Sequence, residues 1–531
     1  MAGDSFQLIR TLYFLHANTL KTLPASPISI LLAMFALLGI TQAKEESPAV
    51  IGTKKPNIIL IMADDLGYGD LSCYNPDSRI PTPHIDNLAH HGMRFTDTHS
   101  ADSVCTPSRY GLLTGRYCWR TPLKKSVLFN YEPPLIEKDQ LTLASLLKEN
   151  GYRTALAGKW HLGLGFTAKP GKSVDFDAPL PWAPGPLPDQ IVSESIDFSV
   201  PVFGGPEELG FDEAFYTAGC STDQEPYCFI QNGRFLNMDG ATYRKPAGSW
   251  RSGMTAPDWD NKTVDLAFTE WALQFMEQAH KRDAEQPFFV FLAPSSPHSP
   301  HVTAHFALGK SEAGVRGDMV WLVDWAVGQV AAKLDALGLK NETLLIVTSD
   351  NGPLPGSLKP GAPEGTAQIT NGHRSAGELR GQKGRVWEGG HRVPFIACWP
   401  EQIPAGTVNG ESLCLTDMLT TVANLIGAEV PEGIGEDSFN RLPALLGEPM
   451  KPRPAIVHHS STAFALRKGK WKIIFGQGEK RVKPADGKGY LFDVENDPGE
   501  TTDLWQQYPE IVRTLTKEFQ SIHDHAIYPS P

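Results

Sequence analysis

Asn57-Ile58-Ile59-Leu60-Ile61-Met62-Ala63-Asp64-Asp65-Leu66-Gly67-Tyr68-Gly69-Asp70 is an unbroken apolar run that stops on carboxylates. A run without polar alternation suits a strand covered on both faces, the pattern of a parallel sheet between helices. Thr343-Leu344-Leu345-Ile346-Val347-Thr348 is a second such run, and it stops at Ser349-Asp350-Asn351-Gly352. Open parallel sheets bind ligands just beyond the carboxyl ends of their strands. Two buried strands ending in acids, with glycine freeing the next turn, therefore predict one shared cluster of oxygen ligands. Three acids and an amide carbonyl, with no thiolate pair, suit a hard cation such as Ca²⁺ or Mg²⁺. Either segment alone reads equally well as a polar turn.

Cys105-Thr106-Pro107-Ser108-Arg109 sets a sulfur just ahead of a proline that can open a helix. Proline at the first helical position loses nothing, because its amide would be unpaired there anyway. The amides beyond it, with the helix dipole, are expected to seat an oxyanion. Arg109 opposes that dipole, and holding the anion together with the amides would explain it. Taken alone, the string reads as a buried thiol before an ordinary helix.

Six strings carry a resemblance: PNIILIMADDLGYGDLSCY from Pro56, CTPSRYGLLTGR from Cys105, GYRTALAGKWHLG from Gly151, SPHSPH from Ser296, TLLIVTSDNGP from Thr343 and LRGQKGRVWEGGHRVPF from Leu379. In these the chain resembles the type I sulfatases, the arylsulfatase A-like branch of the alkaline phosphatase superfamily. The resemblance implies an α/β fold, with a large mostly parallel sheet sandwiched by helices and a smaller C-terminal antiparallel-sheet subdomain. It implies that Cys105 is oxidised to formylglycine by a formylglycine-generating maturation enzyme. It also places Asp64, Asp65, Asp350 and Asn351 on the family's calcium ligands, with the converted Cys105 beside the ion.

The remaining site residues carry over singly. Lys159 and His161 follow an apolar stretch, and positions two apart on a strand end face the same way. His298 fits the family's sulfate-binding histidine and Lys383 its second sulfate-binding lysine. His301 reads either as a substrate contact or as a loop histidine. The family chemistry explains these types. A sulfate ester needs a strong nucleophile, charge stabilisation and help for the departing alcohol. A hydrated formylglycine offers one hydroxyl to attack sulfur and a second whose deprotonation expels sulfate. Arg109 and the metal would lower the hydroxyl pKa, with Asp350 as proton acceptor. Lys159, Lys383 and His298 would hold the sulfuryl oxygens. His298 or Lys383 would protonate the leaving oxygen, and His161 would assist the elimination.

The 531 residues accommodate one large α/β domain and a smaller one, and no internal repeat is visible. The net charge of −12 argues against nucleic acid as a partner, so anion recognition must be local. Nothing favours a stable membrane partner. Ile28 to Ile40 is apolar behind Arg10 and Lys21, and Thr41-Gln42-Ala43 suits signal-peptidase cleavage. The reading is a signal peptide over 1–43, a catalytic domain over 44–440 and an α+β subdomain over 441–531. The mature protein would be periplasmic or secreted, with an uncleaved signal anchor as the alternative. Export makes disulfides possible, and Cys220 and Cys228 could close a short loop, though pairing cannot be deduced.

Thr167 to Pro206, rich in proline, reads as an irregular rim or lid. Gln224 to Arg234 looks like a strand and turn, and Tyr227, Asn232 and Arg234 are candidates to line the cleft. His373, Arg374, His391 and Arg392 gather around Lys383 as readers of sugar hydroxyls, though a solvated loop would look similar. Toward the C-terminus, Ala455 to His459, Phe464 to Phe475 and Tyr490 to Val494 read as strands, and Pro509 to Ile522 as an amphipathic helix. The expected activity is hydrolysis of sulfate monoesters, on a carbohydrate in preference to a small aryl sulfate. The alternatives are a phosphomonoester or phosphonate ester hydrolase on the same scaffold, and a catalytically silent glycan-binding relative.

Overall fold

The apolar run becomes strand β1 (Asn57–Ala63), every residue of it buried. The computed structural model describes residues 54–172, 174, 190–354, 372–461, 463–476 and 489–525. The leader at 1–43 and the proline cluster from Pro179 to Pro188 lie outside the described residues.

β1 is central in a ten-stranded sheet. The other strands are β2 (Met93–Phe95), β3 (Arg153–Lys159), β4 (Glu213–Thr217), β5 (Ile230–Gln231), β6 (Arg234–Phe235), β7 (Phe288–Ala293), β8 (Thr343–Ser349), β9 (Phe395–Cys398) and β10 (Thr407–Asn409). Their spatial order is β10-β2-β9-β8-β1-β7-β3-β4-β5-β6. The five strands β8, β1, β7, β3 and β4 pair in parallel, and antiparallel partners flank them. Helices cover the sheet. α1 (Pro83–His91), α4 (Val264–Arg282) and α5 (Gly314–Leu337) pack together, while α2 (Cys105–Thr114), α3 (Leu143–Glu149) and α6 (Met418–Ile426) form a second group. This is the expected sandwich, and burial on both faces is why β1, β7 and β8 carry no polar alternation.

Register decides where the site sits. Ala63 is level with Ser349, and Ala293 is level with Gly158. Four parallel strands therefore end side by side, and the residues just beyond them share one rim. Gly158 makes that level end possible: its φ is 136°, and a Cβ there would lie 2.1 Å from the Ala293 carbonyl oxygen. Gly158→Ala is expected to cost about 3 kcal/mol or more by overpacking and backbone strain. A denaturant midpoint equal to that of the parent would contradict this.

The C-terminal sheet β11 (Ile456–His459), β12 (Phe464–Lys468), β13 (Trp471–Phe475) and β14 (Gly489–Asp493) is antiparallel throughout, and helix α7 spans Pro509–His525. Val457, Leu466, Ile473 and Leu491 pack with Ala101, Tyr117 and Trp119, and Ile474, Tyr490 and Phe492 pack with Val386 and Trp387. The small sheet thus buttresses the two segments that carry Cys105 and Lys383.

Two local expectations change. Helix α2 begins at Cys105 itself, so Pro107 is its third residue, not its first. The Ser108 amide already donates to the Val104 carbonyl at 3.2 Å, so the expected row of free amides beyond Pro107 is not there. The irregular Thr167–Pro206 segment contains a helical turn, Gln190–Ser195, and is tied down by bridges Gly165 to Phe203 and Ala168 to Ile196.

Candidate active site

The rim of the parallel strands brings Asp64, Asp65, Lys159, Asp350 and Asn351 together, and α2 adds Cys105 and Arg109. Lys159 Nζ lies 2.6 Å from Asp64 Oδ2, and Lys383 Nζ lies 2.6 Å from Asp65 Oδ1. The Cys105 sulfur sits 3.5 Å from Asp64 Oδ1 and 3.2 Å from Lys383 Nζ. Arg109 does not point at an open anion seat. Its Nε and Nη2 donate to Asp350 Oδ2 at 3.1 and 2.8 Å, and its Nη1 donates to the Lys159 carbonyl at 2.9 Å. Lys383 is held from an irregular stretch: its amide donates to the Pro353 carbonyl at 2.9 Å, and the next amide, of Gly384, to Ser103 at 2.7 Å.

Burial makes these charges depend on one another. Burial alone would raise Asp64, but Lys159, His298, Arg109 and Lys383 hold its carboxyl well below the usual range. Burial and Asp64 push Asp350 up to about 6 against the pull of Arg109. Burial and Lys383 press the His298 imidazole down, and Asp64 and Asp65 outweigh them, so it is raised. Burial lifts the Cys105 thiol to about 11 despite Lys159 and Lys383. An unconverted thiol here is therefore protonated at neutral pH and a weak nucleophile.

The donor set fits a hard cation. Asp65 Oδ2 and Asn351 Oδ1 are buried and accept no hydrogen bond, while Asn351 Nδ2 donates to Asp65 Oδ1 at 2.7 Å. Leaving buried oxygens unpaired is costly, and a divalent ion would satisfy both. Asp65 adopts φ 68°, a left-handed turn that Asp tolerates. That turn is held from behind, where Arg316 donates to the Asp65 carbonyl at 2.9 Å and forks onto Asp70.

His161 stands two residues past β3, at φ 57°, so it does not continue the strand beside Lys159 as alternation implied. Its Nε2 lies 2.8 Å from the Leu128 carbonyl, which places the hydrogen there and leaves Nδ1 as the acceptor. Burial and Lys159 lower its pKa to about 4, so the ring is neutral. Between His161 and His298 stands Cys220, whose sulfur is 3.9 Å from His161 Nδ1 and 3.7 Å from His298 Nε2. The sequence reading missed this residue as part of the site, although β4 ends beside β3 and the same strand-end argument reaches it. Cys220 does not close a loop with Cys228, and all seven cysteines are thiols.

A family model described as Sulfatase matches residues 56–428. The chain belongs to the sulfatase family. It is 32% identical to an N-acetylgalactosamine-6-O-sulfatase of Bacteroides thetaiotaomicron, over 93% of this chain and 98% of that one. It is also 32% identical to human arylsulfatase A, over 90% of this chain and 87% of the relative. A solved Bacteroides thetaiotaomicron structure, described in connection with the metabolism of multiple glycosaminoglycans, superposes with a TM-score of 0.74. That structure is 30% identical and covers 88% of this chain and 99% of its own. The sulfatase is accordingly a sulfuric ester hydrolase of the alkaline phosphatase superfamily.

The candidate cleft residues of this sulfatase are mostly engaged in contacts of their own. Tyr227 is fully buried, and its hydroxyl donates to the Arg251 carbonyl at 2.9 Å. Asn232 occupies the β5–β6 turn, where its Oδ1 accepts from the Ala214 amide at 2.8 Å, and Arg234 is exposed on β6. Asn232 and Arg234 cap the sheet edge, because the strand there is an outer one, whereas Tyr227 is buried beneath the Arg251 backbone. His373 is buried against Asp70 Oδ1 at 2.8 Å, behind the acidic rim. Arg374 is exposed and borders a separate cavity of about 900 Å³ shared with Arg79 and Lys310. His301 is buried, four residues ahead of a short helical turn that begins at His305. Arg392 donates to the Thr96 carbonyl at 2.9 and 2.7 Å and pairs with Glu388.

His391 belongs to a buried network between the two sheets. Its Nδ1 faces His99 Nδ1 at 3.0 Å, and its ring stacks on His458 at 3.5 Å and 10°. Two parallel rings at that spacing cannot share one in-plane metal ion; His391 and His99 are linked through their Nδ1 atoms, and His458 joins them by stacking alone. Burial lowers the pKa of all three imidazoles below the ordinary 6.5, and Lys472 adds to this at His391 and His458. Below about pH 6.5 the unfolded chain therefore takes up protons that the fold refuses. Stability then falls with acidification, at up to about 1.4 kcal/mol per pH unit for each histidine. The thermal midpoint is expected to drop between about pH 7 and 5, and His458→Phe should flatten that drop. A pH profile identical to the parent's would contradict this.

Proposed function

We propose that this sulfatase removes sulfate from carbohydrate, with position 105 matured to formylglycine beside a divalent cation. One observation carries the reading: the Cys105 sulfur, Lys159, Lys383 and an acidic set with two unpaired oxygens converge at one strand-end rim. Asp64, Asp65, Asp350 and Asn351 would hold the ion, and Ca²⁺ suits them, with Mg²⁺ also compatible. When present, the ion and the hydrated aldehyde together supply an activated oxygen nucleophile at neutral pH.

The chain's own residues do the rest. Three carboxylates now face Lys159, Lys383 and Arg109; a bound cation would release the two lysines from Asp64 and Asp65 to grip sulfuryl oxygens. Arg109 stays on Asp350 and fixes it. His298 Nε2 faces the same space and can hold a proton for the leaving oxygen. His161, whose Nδ1 faces only the weakly bonding Cys220 thiol, would take a proton as sulfate departs. The carbohydrate preference is supported by the N-acetylgalactosamine-6-O-sulfatase relative. Export through the 1–43 leader and action of a maturation enzyme on Cys105 belong to the same reading. Among the described residues, no helix is long and apolar enough to cross a membrane.

The test is release of inorganic sulfate from a panel of defined sulfated oligosaccharides, with matched sulfate and phosphate esters in competition. Sulfate release with kcat/KM above that of the phosphate ester is expected. A reversed ratio would assign phosphoester chemistry, and sulfate release from aryl esters only would remove the carbohydrate reading.

A further inference from the structure

Resting on the carbohydrate reading, we propose that Trp250 and Arg251 form a sugar-binding shelf beside the sulfate pocket, taking the pyranose that bears the sulfate. The turn that leaves β4 passes Cys220, 3.7 Å from His298 Nε2, and three residues later reaches Asp223. Asp223 is buried and accepts from the Trp250 amide at 3.0 Å and from Arg251 Nη1 at 2.7 Å. Burial raises the Asp223 carboxyl against the pull of Arg251 and, more weakly, of His298, so this carboxylate lies within electrostatic reach of the pocket. On the opposite side, the Arg251 guanidinium lies 5.8 Å from the Phe129 ring, next to Leu128, whose carbonyl meets His161. Arg251 therefore joins the Asp223 turn to the Phe129 segment, with Trp250 next to it on the same turn.

The shelf is rigid where it is anchored and open where it is not. Ser249 Oγ donates to the Thr222 carbonyl at 2.5 Å, and Asn261 Nδ2 donates to Ser249 Oγ at 2.9 Å. Gly248 lies against Val302, on the loop that carries His298 and His301, with room for no Cβ: one would fall 2.4 Å from Val302 Cγ2. Yet the Trp250 side is 45% exposed and the Arg251 side chain 35% exposed. A half-exposed indole on a pinned backbone offers an apolar face at a fixed point of the chain. A pyranose offers a matching patch of C–H bonds on one face and hydroxyls at its edge. Trp250 would carry the C–H face, and Arg251, whose Nη1 is fixed on Asp223, would donate its other N–H groups to an edge oxygen.

The experiment compares the parent, Trp250→Ala and Trp250→Phe on a sulfated disaccharide, with inorganic sulfate as a competitive inhibitor that fills only the sulfate pocket. KM for the disaccharide is expected to rise about 30-fold in Trp250→Ala and to return to within a few-fold of the parent in Trp250→Phe. The inhibition constant for sulfate should stay unchanged in both. An unchanged KM in Trp250→Ala, or a parallel loss of sulfate affinity, overturns the shelf. If the parent cleaves nitrophenyl sulfate but no sulfated sugar, the carbohydrate reading itself fails, and the shelf fails with it.

Discussion

Cys105→Ala is expected to abolish sulfate release, lowering kcat/KM by about 10⁴-fold or more, as removal of a covalent nucleophile does. The side chain is small and buried at the start of α2, and its loss leaves the Lys159–Asp64, Lys383–Asp65 and Arg109–Asp350 pairs in place. The variant should therefore fold with a thermal midpoint close to the parent's, which separates lost chemistry from lost structure. The unconverted parent is expected to be equally inactive, since burial lifts its thiol pKa to about 11. Activity across preparations should then track the fraction of the position-105 peptide that is lighter by about 18 Da, the mass change from thiol to aldehyde. Activity retained in the alanine variant, or unrelated to that fraction, would remove position 105 from the chemistry.

Removing the divalent cation is the second large effect. Chelation is expected to stop turnover while the protein stays folded, because the two lysines and Arg109 already balance the three carboxylates without it. Adding Ca²⁺ back should raise the thermal midpoint, as any ligand of the folded state alone does; at a hundredfold excess over Kd the gain is about 2.7 kcal/mol. Asp65→Asn keeps the shape but removes one charge and the orphaned carboxylate oxygen. It should cut the Ca²⁺-dependent shift by more than half and reduce turnover by about 10²- to 10³-fold. Full activity in protein shown to be metal-free by elemental analysis would exclude the cation site.

The strand-end rule made part of this site legible. Asp64, Asp65, Asp350 and Asn351 follow buried apolar runs that any parallel sheet must cover on both faces, so their position was readable from pattern alone. Lys383 was not readable in that way: it sits between irregular segments, its own amide bonded to Pro353 and that of Gly384 to Ser103, partners far away in sequence. Only the resemblance pointed to it. Asn232 and Arg234 lie at the sheet edge, β4 being followed by an outward antiparallel hairpin, and Tyr227 is buried with its hydroxyl on the Arg251 carbonyl. His391 looked like a cleft residue beside Lys383, yet its short helical turn aims it at His99 and His458. Cys220 and Trp250 were overlooked for the converse reason, since loop residues carry no period that fixes their direction.

By itself, then, the sequence determined the layered α/β core and the acidic strand ends, and it singled out Cys105 as the candidate reactive position, because burial on both faces and the chemistry of a motif are local properties. Tertiary structure decided what faces what. It turned Arg109 from the expected anion seat to Asp350, set Cys220 between two histidines, and pressed the C-terminal sheet behind the segments bearing Cys105 and Lys383. The physical reason is that a side chain in a turn takes its direction from long-range packing and from pairing of buried charge, and neither is written in the neighbouring residues.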